Sequence, residues 1–149
     1  MNTLLSRLAV ATAGIALLSS CDYPALNNVS SQDEDPLETV AEDFASALYK
    51  WQYEKALQMA TPESAKWLQM AASQITEDDI NYFNEQEESI DIELNSIDQL
   101  SDTSAVAEYQ LGNMVVKDLL ATSPRLVSDT TTHINLVKRH GKWFADMTR

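Results

Sequence analysis

The pattern of apolar and polar residues changes once along the chain, from a helical repeat to an alternating one. After Asp35 and Pro36, apolar residues recur every three or four positions from Leu37 to Leu48, with acids between them. An aspartate followed by a proline is a typical helix start, because the carboxylate caps free amides and proline fits the first turn. This spacing predicts an amphipathic helix with one buried face.

Shorter helical patterns follow. They predict helices over residues 53–60, 61–73 and 76–83. Thr61 stands directly before Pro62, which is again a cap followed by proline. Thr76 stands three residues before Asp79, which is the spacing of a capping box. The first half of the folded part is therefore predicted to be helical.

From residue 90 onwards the period becomes two, which is typical of strands with one wet face. Ile90, Ile92 and Leu94 alternate with Asp91 and Glu93. The predicted strands cover residues 90–95, 103–116, 127–139 and 142–147. Helices first and strands afterwards indicate an α+β domain, with the N-terminal helices packed on one face of a four-stranded antiparallel sheet.

The N-terminus is typical of a secretory signal. One positive charge, Arg7, precedes an apolar run over residues 8–18, which is shorter than the roughly 20 residues that a spanning helix needs. The sequence Leu18–Cys21 then resembles the lipobox of bacterial lipoproteins, whose cysteine is lipidated and becomes the mature N-terminus. Cys21 is the single cysteine of the chain, so lipidation would use a thiol that has no disulfide partner.

These patterns divide the chain into three segments. Residues 1–20 are predicted to be a lipoprotein signal peptide, residues 21–34 a flexible tether, and residues 35–149 the folded domain. A flexible coil of this length spans about 20 Å, which keeps the domain close to its membrane. We expect the protein in the bacterial cell envelope, anchored to a membrane through lipidated Cys21. The sequence does not distinguish between the inner and the outer membrane.

Charge narrows the choice of partners. The formal net charge of −13 excludes a nucleic-acid binder that works by neutralising phosphates. Residues 67–113 hold eleven acids and no Lys or Arg, which a solvated acidic surface explains. Residues 117–149 hold six basic groups and three acids, and this asymmetry would suit a basic partner or a homodimer. No metal or cofactor is expected, because no phosphate loop and no metal-ligand spacing occurs.

Several stretches together resemble small bacterial lipoproteins of the nuclear-transport-factor-2-like, cystatin-like superfamily. They are Asp35–Phe44, Trp51–Leu57, Ala60–Ser64, Ile134–Lys138 and Gly141–Phe144. The resemblance implies a cone, in which a curved antiparallel sheet wraps around helices. Such domains often have a pocket between the sheet and the helices, and they are often dimeric. Enzymes, binding modules and interaction domains all occur on such cones, so the resemblance leaves the function open.

Candidate catalytic residues are few. The resemblance implies that an enzyme of this superfamily would place an Asp, His or Tyr inside the cone. The alternation puts Asp91 and Glu93 on the wet face of their strand, and it puts His133 on the face opposite its apolar neighbours. His140 falls in a predicted turn, so both histidines are expected at the surface. No catalytic residue is therefore assigned.

Four aromatic residues are predicted to point inwards where the helices meet the sheet. They are Phe44, Trp67, Tyr109 and Trp143. Core packing explains them, and they would line any pocket in the cone. We expect a membrane-anchored, non-catalytic module that binds a small ligand or a protein partner. Two alternatives stay open: a carrier of a small hydrophobic ligand in the cone, and an isomerase-type or dehydratase-type enzyme with a buried carboxylate.

Overall fold

Four helices lead into a four-stranded antiparallel sheet, in the order that the change of period predicts. The structure is a computed structural model that describes residues 36–118 and 120–148. The elements are α1 (Pro36–Tyr49), α2 (Tyr53–Met59), α3 (Pro62–Ser73), α4 (Glu77–Asn84), β1 (Asp91–Ser101), β2 (Ser104–Val116), β3 (Arg125–Arg139) and β4 (Lys142–Asp146). The predicted α+β class is confirmed.

The predicted helix caps of α3 and α4 are confirmed. The Thr61 hydroxyl accepts a hydrogen bond from the Ser64 amide at 3.2 Å, at the start of α3. At the start of α4, the Thr76 hydroxyl accepts from the Asp79 amide, and the Asp79 carboxylate accepts from the Thr76 amide at 2.8 Å. This pair of reciprocal bonds is a capping box, which satisfies two free amides at once.

The end of α1 is tied down by an aromatic contact. The Gln52 amide donates to the Ala47 carbonyl at 2.8 Å, and the Trp51 amide donates to the Leu48 carbonyl at 3.2 Å. Trp51 has φ 57°, a left-handed conformation that glycine usually adopts at this position and that costs a larger residue about 1 kcal/mol. Its ring packs on Phe83 with 5.0 Å between ring centres, so the turn after α1 is fastened to α4.

The sheet has the order β1-β2-β3-β4, so β1 and β4 form its edges. β1 runs to Ser101, beyond the predicted end at residue 95, and its register shifts between Leu94 and Ser96. This bulge breaks the two-residue period, and Ile97 rather than Ser96 returns to the inner face. The alternation of apolar and polar residues ends at this bulge, so the sequence predicts only the first half of the strand.

The core lies between α1 and the inner face of the sheet. α1 contributes small residues such as Ala41 and Ala45, together with Phe44. β2 contributes alternate residues of the predicted inner face, including Tyr109 and Leu111. Because alanines line both surfaces, the helix and the sheet can approach closely, and larger side chains fill only selected positions.

Candidate functional site

A cavity of about 350 Å³ lies between α1 and the beginning of β1, with β2 behind it. We call it the α1–β1 cavity. Its volume falls at the lower end of the range for ligand sites, roughly 300–1,000 Å³. It is lined by Glu42, Ser46, Lys50, Ile90, Asp91, Ile92, Leu94 and Tyr109. Glu42 and Ser46 of α1, and Lys50 directly after it, are spaced by four and lie on one side. The helix therefore supplies a polar wall, and β1 supplies a largely aliphatic one.

Tyr109 forms part of the inner wall of this cavity. It stands on the inner face of β2, paired with Leu94 of β1, and is only 1% exposed. Its hydroxyl has no hydrogen-bond partner among the described residues. Buried hydroxyls normally have one, and leaving such a group unpaired costs about 1–3 kcal/mol. Core packing alone therefore does not explain why this position is a tyrosine.

Burial and two carboxylates of α1 shift the pKa of the Tyr109 phenol. Burial raises the pKa of Tyr109 well above its usual value of 10.0, and the charges of Glu42, Tyr49 and Glu38 raise it further. Glu42 and Tyr109 line the same cavity, so the phenol lies near the acidic face of α1. Within the described chain no hydrogen bond or ion pair holds the Glu42 carboxylate, although the next residue, Asp43, lies 3.9 Å from Lys55. The acidic end of the cavity thus holds an exposed carboxylate without a protein partner and a buried hydroxyl without one in the described chain.

A nearby tyrosine shows the ordinary arrangement. The Tyr49 hydroxyl donates to the Thr132 hydroxyl at 3.3 Å. Burial raises the pKa of Tyr49, and the bond to Thr132 offsets part of that rise. Tyr49 is therefore partnered across the core, whereas Tyr109 is not.

The other end of the α1–β1 cavity holds the one basic residue among the described residues that line it, Lys50, and the exposed Asp91 follows Ile90 there. Lys50 and Ile90 line it there, and both also line an adjoining cavity of about 350 Å³ next to α4. Phe83 and Val115 give that second cavity an apolar floor. The two cavities meet at Lys50, about 12 Å along the helix axis from Glu42, since each residue of a helix rises 1.5 Å.

The four predicted inward aromatics divide unequally. Phe44, Tyr109 and Trp143 are buried in the core, as expected. Trp67 instead lies on the solvent side of α3 and is 49% exposed, because the next residue, Leu68, takes the inward position. Of these residues, Tyr109 lines the α1–β1 cavity, while Phe44 and Trp143 pack within the core cluster.

The strand carboxylates Asp91 and Glu93 are exposed, as the alternation predicts. Among the described residues, the carboxylates of Asp79 and Asp146 are buried, and neither burial was predicted from the sequence. Asp79 belongs to a recognisable capping box, but that motif does not tell whether the cap is buried. Nothing in the local sequence of Asp146 indicates burial, because the element that covers it, α3 with Ser64, lies 82 positions earlier in the chain.

Asp79 forms an ion pair with Lys117, and both side chains are almost fully buried. The Lys117 ammonium also donates to the Gln74 carbonyl at 2.9 Å. The hydrogen bond from Lys117, followed by that from the Thr76 amide, holds the pKa of Asp79 below its usual range. The pair joins the beginning of α4 to the segment after β2, and its groups satisfy one another.

Asp146 belongs to a second satisfied network, between α3 and the end of β4. The Ser64 hydroxyl lies 2.7 Å from the Thr61 hydroxyl and donates to the Asp146 carboxylate at 3.4 Å. It also accepts from the Met147 amide at 2.8 Å. The Thr148 amide and hydroxyl both donate to Asp146, at 3.0 and 2.6 Å. The network fastens the last strand to α3 and leaves no obvious group for a ligand.

Both histidines lie at the surface, as predicted. His133 has one ring nitrogen 3.1 Å from the Glu108 carboxylate, and both side chains are exposed. His140 is exposed in the turn between β3 and β4. Over residues 36–118 and 120–148, no three His, Cys, Asp or Glu side chains come together in a way that could hold a metal ion.

The predicted lipidation site, Cys21, lies outside the described residues, as do the predicted signal peptide and tether. Within the part of the chain that the structure describes, no helix is both long enough and apolar enough to cross a membrane.

No protein-family model matches the sequence, and no curated protein matches it significantly. Among solved structures, the chain is similar to an NTF-2-like protein of unknown function from Shewanella oneidensis MR-1. The identity is 11% and the TM-score 0.41, over 74% of this chain and 92% of that one. At such a level of likeness no residue role passes from that protein to this chain.

Proposed function

We propose that the chain is a non-catalytic binding module of the bacterial cell envelope, anchored through lipidated Cys21, and that the α1–β1 cavity is its ligand site. The observation that carries the proposal is the buried Tyr109 hydroxyl, which has no partner in the described chain and stands beside the cavity. An unpaired buried polar group in a native structure calls for an explanation, and a bound ligand supplies one.

Three features support binding without catalysis. Glu93 lies outside the cavity, and Asp91, which lines it, is exposed rather than buried. The buried carboxylates of Asp79 and Asp146 are bonded within the protein. The raised pKa of Tyr109 keeps its phenol protonated at neutral pH, so the group can donate or accept a hydrogen bond but is a poor base. A binding role needs only this hydrogen bonding.

The mixed lining supports a small amphipathic ligand over a purely hydrophobic one. Ile92 and Leu94 offer an aliphatic surface, while Glu42 and Ser46 face them from α1. A hydrophobic ligand alone would leave the carboxylate and the hydroxyls without partners, which is unfavourable once water is displaced. If the protein carries a ligand in this cavity, that ligand therefore has a polar end as well as an apolar part.

Native mass spectrometry of the full-length lipidated chain, extracted from membranes in mild detergent, tests the site. We expect a small molecule bound to the wild type and absent from Ser46→Leu, since leucine would fill the cavity at a half-buried position of α1. Ser73→Leu, at an exposed position of α3, is the matched control and should retain the molecule. Equal occupancy in the two variants, or none in the wild type, would contradict the proposal.

The anchor has its own test. The intact mass of the membrane-extracted chain should correspond to residues 21–149 carrying acyl groups on Cys21. Cys21→Ser should lack that added mass. A mature N-terminus at another residue, or a wild-type chain with no acyl mass, would refute the lipid anchor while leaving the ligand site untouched.

A further inference from the structure

The acidic end of the α1–β1 cavity holds two groups that accept hydrogen bonds, the exposed Glu42 carboxylate and the buried Tyr109 hydroxyl. The Tyr109 hydroxyl can donate one hydrogen bond and accept others, and the Glu42 carboxylate can only accept. When Glu42 turns inwards with a bound ligand, the phenol can donate to its carboxylate, and both groups then still present lone pairs. A ligand that donates hydrogen bonds can satisfy these lone pairs, whereas a ligand that only accepts can satisfy the phenol proton alone.

The charge at this end favours a cationic donor. Glu42 and Glu38 both act on the Tyr109 phenol, and neither has an ion-pair partner in the described chain. The basic residue of the cavity, Lys50, lies at the far end, where the second cavity adjoins. The chain's net charge of −13 also raises the local concentration of cations and repels anions.

Resting on the proposed function, we infer that the ligand carries an ammonium group, bound between the Glu42 carboxylate and the Tyr109 hydroxyl, with a short aliphatic part against Ile92 and Leu94. An ammonium brings three donors and a positive charge, so it satisfies both unpaired groups at once. Hydrogen bonds to a charged group are also stronger than neutral ones.

Binding requires a local rearrangement, because Tyr109 is almost entirely covered. The Glu42 side chain is exposed and unrestrained, so it can turn towards the cavity with the ligand. Such changes of side-chain rotamer are common on binding and need little movement of the backbone. The aliphatic wall is already in place on β1.

Methyl NMR of the full-length chain in detergent, titrated with butylammonium, butan-1-ol and butanoate, tests the ligand class. The three probes share a four-carbon skeleton and differ in the charge of the polar end. Shifts of the Ile92 and Leu94 methyl signals report binding in the cavity, and Ser46→Leu supplies the background from detergent. We expect butylammonium to bind about ten-fold more tightly than butan-1-ol, and butanoate most weakly.

Charge-removing variants locate the ammonium. Glu42→Gln should weaken butylammonium about ten-fold and leave butan-1-ol within about two-fold of the wild type. Glu93→Gln removes the same charge from an exposed strand position outside the cavity and should change butylammonium by less than about two-fold. Tyr109→Phe should weaken butylammonium several-fold, because the phenol no longer accepts its hydrogen bond.

The outcomes separate the two proposals. If butan-1-ol or butanoate binds as tightly as butylammonium, and Ser46→Leu abolishes the shifts, the ammonium inference is wrong while the cavity remains a ligand site. Equal losses in Glu42→Gln and Glu93→Gln would also refute it, since they would indicate only long-range attraction. If none of the probes shifts the Ile92 and Leu94 methyl signals, the proposed site itself is contradicted.

Discussion

The buried polar groups around α3 and α4 differ sharply from the one beneath α1. Near α3 and α4, Ser64, Asp79 and Lys117 each contact at least one protein partner of matching chemistry. Beneath α1, the Tyr109 hydroxyl has none in the described chain. Both places bear the cost of removing polar groups from water, but only the first recovers it within the protein. The contrast separates polar groups that hold the fold together from one that awaits a partner.

The partnered groups also join distant parts of the chain. Lys117 reaches the carbonyl of Gln74 and the carboxylate of Asp79, about forty residues earlier. The Ser64 hydroxyl accepts a hydrogen bond from the Met147 amide, and the four strands of the sheet lie between these two residues in the sequence. These contacts close long loops, so they stabilise tertiary structure rather than a single helix. Tyr109 makes no such link through its hydroxyl, although its ring fills the core.

Among the predicted changes in stability, the one caused by loss of the Lys117 ammonium is the largest. Lys117→Met should lower the melting temperature by on the order of 10 °C, because it leaves the Asp79 carboxylate buried without its cation. Differential scanning fluorimetry measures the change. Lys142→Met, at an exposed position of β4, is the matched control and should shift the melting temperature by only a degree or two. Similar shifts in both variants would show that the buried pair contributes little.

Acid should remove the same contribution. The pKa of Asp79 is held below its ordinary value of 3.8, first by Lys117 and then by the Thr76 amide. A carboxyl of this kind stabilises the fold above its unfolded pKa and loses that effect as the pH falls through the folded pKa. The melting temperatures of wild type and Asp79→Asn should therefore differ most near neutral pH and converge below pH 3.8.

A Lys117→Met background sharpens this pH test. Since Lys117 is the largest cause of the lowered pKa, adding Asp79→Asn to that background should produce a smaller pH-dependent difference. Parallel melting curves for wild type and Asp79→Asn down to pH 3 would contradict the assignment.

Loss of the Ser64 hydroxyl should have an intermediate effect. Ser64→Ala leaves the Met147 amide without its acceptor and removes a donor to Asp146, so the free energy of unfolding should fall by about 2 kcal/mol. Ser73→Ala, in the same helix but exposed, should change it by less than about 0.5 kcal/mol. Chemical denaturation measures both. If Ser64→Ala lowers the free energy of unfolding no more than Ser73→Ala does, the buried network does not stabilise the fold as predicted.

The fold was predictable from local signals. The caps at Thr61 and Thr76 mark helix starts by chemistry within three residues, and the alternation of Asp91 with its neighbours marks the first strand. The predictions that failed concern features set by contacts between distant parts of the chain. The bulge after Leu94 depends on pairing with β2, and the outward position of Trp67 depends on Leu68 facing the core.

The candidate site was predictable only in part. Tyr109 follows from the alternation of β2 as an inward aromatic residue. Its missing hydrogen bond does not, because that depends on how α1, β1 and β2 pack together. Glu42 lies among other acids on α1, and nothing local distinguishes it from a solubilising residue. The burial of Asp79 likewise depends on Lys117, which is 38 positions away.

Two tyrosines that undergo the same substitution should respond with opposite sign. Tyr109→Phe should raise the free energy of unfolding by about 1 kcal/mol, because it removes a buried hydroxyl that no protein group satisfies. Tyr49→Phe should lower it by about 1 kcal/mol, because it breaks the bond to Thr132. Both changes delete one oxygen from a tyrosine packed against the core, so volume and apolar area stay matched. Denaturant titrations of the ligand-free chain measure both values.

The sign of the Tyr109→Phe effect decides whether the comparison between the two regions holds. A gain in stability together with weaker ligand binding is the combination expected of a functional group, since proteins commonly sacrifice stability at binding sites. If Tyr109→Phe destabilises the fold as much as Tyr49→Phe, the hydroxyl is satisfied in the free protein by an ordered water or by Glu42. In that case Tyr109 belongs with Ser64 and Asp79 among the groups that hold the fold, and the cavity loses its strongest argument.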